Sequence, residues 1–201
     1  MEKIFITGAN GFIGSNLVGA LTDFGFDVYR GVRGAESIQS GHDILFNLSD
    51  LDSISKLTEN YKFDVIVHLA AKVGWDGLCY EDMYIENVLA TGLLGYVAKK
   101  MGARLIFSSA TLVYGSQSQI ISESSPIELD TDYARTKYDG EILLKSIHPN
   151  ACILRIGGVY GKNGPDHLGV NRSISQALEG CAPVLYGTGV NLRNYIYIDD
   201  L

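Results

Sequence analysis

The chain has 201 residues, of which 46% are hydrophobic and 19% are charged, and its formal net charge is −7. This balance excludes an intrinsically disordered chain, because disorder goes with low hydrophobicity and high charge, and the length fits one domain. The longest basic cluster is the pair Lys99 and Lys100. Together with the acidic net charge, it argues against nucleic acid as a partner.

Targeting segments and metal sites are also not indicated by the sequence. No apolar run approaches the roughly 20 residues of a membrane-spanning helix, so we expect no membrane partner. The first apolar stretch is too short for a signal peptide, and we expect a cytoplasmic location. Cys79, Cys152 and Cys181 are odd in number and widely spaced, which fits neither a disulfide framework nor a metal site. We therefore expect no metal and predict that these cysteines are small apolar residues in a reducing compartment.

The predicted elements begin with an apolar strand at Lys3–Thr7, a glycine-rich turn and a helix over residues 13–24. Gly25 ends that helix. The rest of the chain continues to alternate between strand and helix patterns. The further strands are predicted, in chain order, at residues 27–32, 43–46, 64–70, 104–108, 151–156 and 195–198. The further helices are predicted at residues 51–59, 83–101, 132–146 and 172–178.

This alternation predicts an α/β fold built on a doubly wound parallel sheet, the Rossmann fold. Residues 64–70 (DVIVHLA) are apolar along most of their length, as expected of a strand that is covered on both faces. Ligands of such sheets bind at the carboxyl ends of the strands, near the point where the strand order reverses. We therefore look for functional residues directly after the predicted strands.

The turn after the first strand, TGANGFIG, carries glycines with three separate uses. Gly8 permits the tight turn, Gly11 lets the main chain approach a pyrophosphate, and Gly14 lets the helix pack closely. The amino end of the helix offers free N–H groups and a partial positive charge to phosphates. The position of the turn between a strand and a helix therefore predicts a dinucleotide-binding site.

Several further motifs follow in a fixed order along the chain. They are HLAA at residues 68–71, Asn87, Ser108 with Ser109, VYG at 113–115, Tyr133 with Lys137, Leu154 with Arg155, VYG at 159–161 and RNYIYIDD at 193–200. With the TGxxGxxG turn, this series resembles the extended short-chain dehydrogenase/reductase family, also called the NAD-dependent epimerase/dehydratase family. Its members act on nucleotide sugars.

The resemblance implies a set of cofactor-binding positions spread over most of the chain. They are Gly8, Asn10, Gly11, Phe12, Ile13, Gly14, Arg33, Asn47, Leu48, Leu69, Ala70, Ala71, Asn87, Ser108, Tyr133, Lys137 and Ile156. It also implies that Arg193 pairs with the diphosphate of a nucleotide-sugar substrate, and Lys72 is a second candidate for substrate contact. Asn87 could instead bond to buried main chain, and we expect His68 to be a packed, hydrogen-bonded core residue.

The choice of nicotinamide cofactor depends on the end of the second strand. NAD-specific Rossmann domains place an acid there to accept hydrogen bonds from the ribose 2′-hydroxyl, and this chain has Val32 followed by Arg33. A guanidinium can pair with a 2′-phosphate, and the missing carboxylate removes a repulsion. We therefore favour NADP(H) over NAD(H).

Tyr133 and Lys137 lie four residues apart, so that they share one face of a predicted helix. A free phenol has a pKa of about 10, and a nearby ammonium lowers it toward the range of acid–base catalysis. We predict that Tyr133 exchanges a proton with a sugar oxygen and that Lys137 supports it and holds the nicotinamide ribose, as the resemblance implies. A second such pair, Tyr96 and Lys100, lies out of order with the other motifs and is interpreted as structural.

The third catalytic position of the family, a Ser or Thr four residues before the Tyr of VYG, is Ala110 here. Ser109 and Thr111 flank it, and either hydroxyl could take the role. Family dehydratases add an acidic pair directly after this position, whereas Thr111 is followed by Leu112. The resemblance therefore implies 4-keto reduction or 4-epimerisation of a nucleotide sugar rather than dehydration.

The resemblance also implies an organisation of the whole protein. We expect a Rossmann domain over residues 1–201, in which residues 158–201 begin a substrate-binding part and the small carboxyl-terminal lobe is largely missing. A homodimer through the helices at 83–101 and 132–146 is expected by analogy. Two alternatives stay open: a non-catalytic dinucleotide-binding module, which Ala110 favours, and a reductase of a non-sugar ketone.

Overall fold

The structure is a computed structural model that describes residues 1–74, 77–116, 120–184, 188 and 193–201. Its strands are β1 (Lys3–Thr7), β2 (Asp27–Val32), β3 (Asp43–Leu45), β4 (Val65–His68), β5 (Arg104–Ala110), β6 (Cys152–Ile156), β7 (Gly158–Tyr160) and β8 (Tyr195–Tyr197). Its α-helices are α1 (Phe12–Asp23), α2 (Leu51–Asn60), α3 (Tyr80–Tyr84), α4 (Ala90–Met101), α5 (Asp132–Ile147) and α6 (Gly169–Leu178). The chain divides into two compact units, Met1–Arg155 and Ile156–Leu201.

The first unit is built on a six-stranded sheet with the strand order β3-β2-β1-β4-β5-β6. The pairs β1–β2, β1–β4, β2–β3 and β4–β5 are parallel. The order reverses between β1 and β4, which is where a ligand crevice is expected. The predicted doubly wound Rossmann sheet is confirmed.

Alternate residues of each strand point to opposite faces, and each face has its own core. On one face Ile4, Ile6 and their neighbours pack with the apolar side of α1. On the other face Phe5, Ile66 and Leu105 pack with α2, α4 and α5. Both faces of the central strands are therefore buried, which explains why their sequences are apolar runs rather than alternating patterns.

The helix predicted over residues 83–101 is in fact longer and interrupted. It begins with α3 at Tyr80, where the Cys79 main-chain N–H donates to the Asp82 carboxylate at 3.0 Å. A π-helical turn, Ile85–Leu89, joins α3 to α4, and Gly102 ends α4 in the left-handed conformation. Cysteine is a rare capping residue, so the sequence pattern gave no signal for this earlier start.

Other boundaries differ by a few residues. β4 ends at His68 rather than at residue 70, β5 continues to Ala110, and α6 begins at Gly169 rather than at residue 172. The short strand β7 was not predicted; it pairs in parallel with β8 in the second unit. In the same unit, buried Asn171 accepts a hydrogen bond from the Gly161 N–H and donates to the Val159 carbonyl oxygen.

The three cysteines lie at the surface of the protein. Cys79 precedes α3, Cys152 begins the sheet-edge strand β6, and Cys181 follows α6, and all three are exposed. Position at element ends and at a sheet edge, rather than residue type, decides their burial. Within the described residues, no helix combines the length and the apolar character needed to cross a bilayer.

Candidate active site

The glycine turn after β1 is held by main-chain contacts that leave no space for side chains. Gly8 adopts a φ of +72°, and a β-carbon on it would lie 2.8 Å from the Ala70 nitrogen. A β-carbon on Gly14 would lie 2.1 Å from the Gly8 oxygen. The turn is therefore packed both against the segment after β4 and against the first turn of α1. Glycine is required at both positions because the obstacles are main-chain atoms, which cannot rotate away.

The amino end of α1 is suited to an anion. Gly11 is the N-cap residue and contributes no side-chain cap, and the first turn of the helix contains no acidic residue. Its N–H groups and the positive end of the helix dipole therefore remain available to a ligand. Phosphate groups are the ligands that such helix ends prefer.

A cleft of about 400 Å³ lies beside this turn, along the carboxyl ends of β1 to β4. The residues predicted to bind the cofactor that line it are Gly8, Asn10, Gly11, Arg33, Asn47, Leu48, Leu69, Ala70 and Ala71, and the predicted substrate residue Lys72 lines it too. The lining residues that were not predicted include Val32, Glu36, Ser37, Phe46 and Glu86. The structure thus brings together four separate chain segments that were predicted to share one ligand.

The rim of the cleft after β2 carries both signs of charge. Arg33 is exposed, and Glu36 lies on the 3₁₀ turn Ala35–Ser37 that follows. The Glu36 carboxylate folds back onto Gly34 and occupies the space where a β-carbon of that residue would stand. The end of β2 therefore offers a cation for a phosphate together with a carboxylate that sequence reasoning missed.

The other end of the cleft contains a polar network around Asn87. The Lys72 N–H donates to Asn87 Oδ1 at 2.8 Å, and Asn87 Nδ2 donates to the Lys72 carbonyl oxygen at 2.8 Å and to Thr136 Oγ1 at 3.0 Å. The amide of Asn87 thus fixes the main chain of a cleft residue, which was one of the two roles considered for it. Direct contact between Asn87 and a cofactor stays a prediction.

Tyr133 and Lys137 lie one turn apart on α5, which packs against β5. Lys137 is only 2% exposed, and its Nζ lies 4.2 Å from the centre of the Phe107 ring. Burial lowers the pKa of Lys137 to about 7, although the Glu141 carboxylate acts in the opposite direction. The half-buried Tyr133 side chain also loses solvation, and burial raises its pKa to about 12. The expected lowering of the tyrosine pKa is therefore not found, because burial, and not the ammonium, determines it here.

The two hydroxyls that flank Ala110 have different environments. Ser109 is buried and donates to the Glu141 carboxylate, which also receives a two-pronged contact from the Arg155 guanidinium at 2.7 and 3.0 Å. The same guanidinium donates to the Tyr114 hydroxyl at 2.6 Å. Thr111 is half-buried in the 3₁₀ turn Thr111–Tyr114 directly after β5. Ser109 thus belongs to a buried structural network.

His68 is fully buried in the core, as predicted. Its Nδ1 lies 2.8 Å from Thr7 Oγ1 and its Nε2 lies 3.0 Å from Thr91 Oγ1. Burial, with a smaller contribution from Lys137, lowers the pKa of His68 to about 3. Ser108 donates its hydroxyl to the His68 carbonyl oxygen at 3.2 Å, which places it beside the end of β4.

The remaining predicted positions fall into two groups. Phe12 and Ile13 begin α1 and are half-buried, next to the glycine turn but outside the residues that line the cleft. Ile156 and Arg193 belong to the second unit, where Arg193 is exposed and precedes β8. Their proposed contacts with cofactor and substrate stay predictions.

Comparison with known proteins agrees with this arrangement. The profile of the NAD-dependent epimerase/dehydratase family matches residues 4–201. The chain belongs to this family. The family resemblance predicted from the motifs is therefore confirmed.

Several characterised proteins are similar to this chain in sequence or structure. It is 28% identical to a dTDP-glucose 4,6-dehydratase of Mycobacterium tuberculosis, over 98% of this chain and 66% of that protein. It is 29% identical to a UDP-glucose 4-epimerase of Mycolicibacterium smegmatis, over 99% of this chain and 70% of that protein. A crystal structure of UDP-glucuronic acid 4-epimerase from Bacillus cereus, in complex with UDP-glucuronic acid and NAD, matches with a TM-score of 0.78 and 29% identity, over 98% of this chain and 69% of that one. The chain thus spans about two thirds of the length of these relatives.

Proposed function

We propose that the chain is the cofactor-binding part of an NAD(P)-dependent nucleotide-sugar oxidoreductase or epimerase. The observation that carries the proposal is the cleft, because the glycine turn, the end of β2, the end of β3 and the segment after β4 all line it. The close fit of the glycines to main-chain atoms supports it as well, since a turn of this shape exposes N–H groups to phosphates. Membership of the family and the NAD bound in the related Bacillus cereus epimerase agree with this proposal.

Arg33 is the basis for favouring NADP(H). It stands directly after β2 at the rim of the cleft, where a guanidinium could pair with a 2′-phosphate. The proposal predicts that replacing Arg33 weakens binding of the phosphorylated cofactor more than binding of NAD(H). Glu36 lies close in the chain and partly offsets this positive charge.

The proposed chemistry is hydride transfer at a sugar carbon, for which the bound nicotinamide supplies the hydride donor or acceptor. Tyr133 holds the proton that a sugar oxygen gains on reduction, and its raised pKa keeps the phenol undissociated at neutral pH. The buried amino group of Lys137 lies on the same face of α5 as Tyr133. Its pKa of about 7 allows it to take up and release a proton near neutral pH. Thr111 is the better candidate to orient the sugar hydroxyl, because the Ser109 hydroxyl is bonded to Glu141.

Within this chemistry we propose 4-keto reduction or 4-epimerisation. Leu112 is 48% exposed directly after Thr111, so no carboxyl group stands at the position where elimination of water would need one. The similarity to a dehydratase supports the hydride-transfer step that dehydratases and epimerases share. The similarity to an epimerase also agrees with the missing carboxyl group, because epimerisation eliminates no water.

The proposal extends to the rest of the protein. The second unit would begin the substrate-binding part, with Arg193 directed to the diphosphate of a nucleotide sugar and Lys72 as a further contact. We also propose that the protein is a homodimer and is located in the cytoplasm. A second candidate is a non-catalytic dinucleotide-binding module, which buried Ala110 favours because it replaces a hydroxyl of the family site.

Replacing Tyr133 by Phe separates the two candidates. We expect Tyr133→Phe to bind NADPH and NADH within about twofold of the natural protein and to reduce turnover of a 4-keto nucleotide sugar by at least about 100-fold, because it lacks only the proton donor. Cofactor fluorescence measures binding, absorbance at the nicotinamide band measures net NADPH consumption, and chromatographic separation of the nucleotide sugars measures turnover of a 4-keto or a 4-hydroxy substrate. Stoichiometric NADPH consumption would identify a reductase, and turnover without net consumption an epimerase. Binding of a dinucleotide without any turnover that depends on Tyr133 would support the non-catalytic module, and failure to bind either cofactor would contradict both.

A further inference from the structure

The carboxylate of Glu86 has one satisfied and one unsatisfied oxygen. Glu86 lies on the π-helical turn Ile85–Leu89 and lines the cleft. Its Oε1 accepts a hydrogen bond of 2.6 Å from Ser49 Oγ. Its Oε2 is buried and has no hydrogen-bond partner among the described residues. The nearest cation is the ammonium of Lys72, whose Nζ lies 3.6 Å away.

A buried carboxylate oxygen without a donor is unfavourable, because the lost hydration is not replaced. At 3.6 Å the Lys72 ammonium balances the charge but is too far for a hydrogen bond. The main chain of Lys72 is fixed on both sides by the Asn87 amide, so that the ion pair is held at this end of the cleft. The unsatisfied oxygen therefore points to a donor that the ligand supplies.

The surroundings indicate which part of a dinucleotide could supply it. Ser49, the partner of Glu86, directly follows Leu48, and Leu48 forms an apolar part of the cleft with Val32 and Phe46. An apolar surface of this kind suits the flat face of a base, whereas the glycine turn presents main-chain N–H groups and suits phosphates. The side-chain oxygen of Asn47, which also lines the cleft, receives the Ser49 N–H at 3.1 Å. Among the described residues that line this cleft, Glu86 Oε2 is the buried side-chain acceptor without a hydrogen-bond donor.

We propose that Glu86 selects the base of the bound dinucleotide, with Oε2 accepting a hydrogen bond from the exocyclic amino group of adenine. The cleft then distinguishes an amino-bearing purine from an oxo-bearing one, since a carbonyl oxygen at that position would face a carboxylate. The inference rests on the proposed function, because it requires that the cleft holds a dinucleotide. The selection is independent of whether the ribose carries a 2′-phosphate.

The test compares cofactors that differ only in the base. The full chain is titrated with reduced nicotinamide adenine dinucleotide and with its hypoxanthine analogue, in both the 2′-phosphorylated and the unphosphorylated forms, and cofactor fluorescence gives the dissociation constants. We expect the adenine forms to bind at least about tenfold more tightly, which corresponds to about 1.4 kcal/mol. This readout does not depend on turnover.

Two variants assign the selectivity to Glu86. Glu86→Gln keeps an oxygen for Ser49 and adds an amide N–H that can face a carbonyl oxygen, so that the adenine preference should fall below about threefold. Glu86→Ala should weaken binding of the adenine form and bring the two dissociation constants close together. Glu36→Gln is the matched control, because it removes the same charge from the same cleft at the other rim. It should shift both dissociation constants alike and keep their ratio.

The outcomes separate this inference from the function on which it rests. Equal affinity of the natural chain for the two bases would overturn the role of Glu86 and leave dinucleotide binding intact. A preference that survives in both Glu86 variants would assign base selection to other residues and overturn it as well. Failure of all four cofactors to bind would instead contradict the proposed function. Circular dichroism and unfolding midpoints establish that each variant is folded.

Discussion

Adjacent hydroxyls can differ in role because they differ in burial, as Ser109 and Thr111 show. β5 directs the Ser109 side chain into the interior, where it donates to Glu141, and Thr111 begins the turn that follows the strand. The sequence left these two residues as equal candidates for the missing family hydroxyl at Ala110. The structure places them in different environments, and we propose Thr111 for the substrate because the Ser109 hydroxyl already stabilises a buried carboxylate.

The corresponding prediction uses one substitution at each position. Thr111→Val should lower turnover by about 10- to 100-fold and leave the free energy of unfolding within about 0.5 kcal/mol of the natural value. Ser109→Ala should instead lower the free energy of unfolding by about 1–3 kcal/mol, because it removes a donor from buried Glu141. Steady-state kinetics and urea unfolding measure the two effects. The opposite pattern, with stable but inactive Ser109→Ala, would assign the catalytic hydroxyl to Ser109.

At the scale of elements, α5 carries both the proposed catalytic residues and the carboxylate that forms an ion pair with the sheet. Tyr133, Lys137 and Glu141 follow one another at intervals of four along this helix. The carboxylate of Glu141 receives both prongs of the Arg155 guanidinium from β6, and Arg155 also bonds to Tyr114. The helix that carries the proposed acid is thus positioned by a partly buried ion pair two turns further along.

Breaking this ion pair should be costly for the fold. Glu141→Gln is expected to lower the free energy of unfolding by about 1.5–3 kcal/mol, since it leaves the partly exposed Arg155 charge without its counter-ion. Removing both charges with Glu141→Leu and Arg155→Met should cost clearly less than the sum of the two single changes, because neither partner is then left alone. Urea unfolding of the natural protein, Glu141→Leu, Arg155→Met and the double variant completes the double-mutant cycle. Additive effects would show that the pair contributes no coupling.

The elements themselves were largely predictable from local patterns. Buried parallel strands produce apolar runs, and the glycine turn between β1 and α1 fixes the beginning of the sheet, so both could be predicted from the chain. The start of α3 could not, because it depends on an acidic side chain that bonds to the Cys79 main chain. The short strand β7 also escaped prediction, since its three residues form a strand only by pairing with β8.

The site residues could be predicted from the sequence only where a single chain segment contains the whole signal. The glycine turn, Arg33 and the residues after β4 were identified, because each follows a strand in a known order. Glu86 was missed, since its place in the cleft depends on a contact with Ser49, 37 positions away in the chain. The Tyr133 pKa was predicted in the wrong direction because burial is a property of the folded chain and not of residue spacing.

For the molecule as a whole, buried Lys137 couples stability to pH. Its pKa falls from 10.5 to about 7 on folding, so that the unfolded chain binds more protons between these two values. The free energy of unfolding should therefore rise with pH from about 7 toward 9.5. We expect Lys137→Met to remove this rise and exposed Lys100→Met to retain it, as measured by urea unfolding at several pH values. A natural protein whose stability is flat over this range would contradict the lowered pKa of Lys137. Tyr133 does not interfere, because its pKa of about 12 affects stability only above pH 10.

The main-chain contacts of Gly8 have a consequence for how a ligand is captured. Gly8 packs directly against the main chain of Ala70, and Gly14 packs against the Gly8 carbonyl group, without intervening side chains. We therefore expect the loop after β1 and the segment after β4 to move together. These two walls of the cleft would then be preorganised before a ligand binds. Little conformational entropy is then lost on association, so that more of the contact energy is available as affinity.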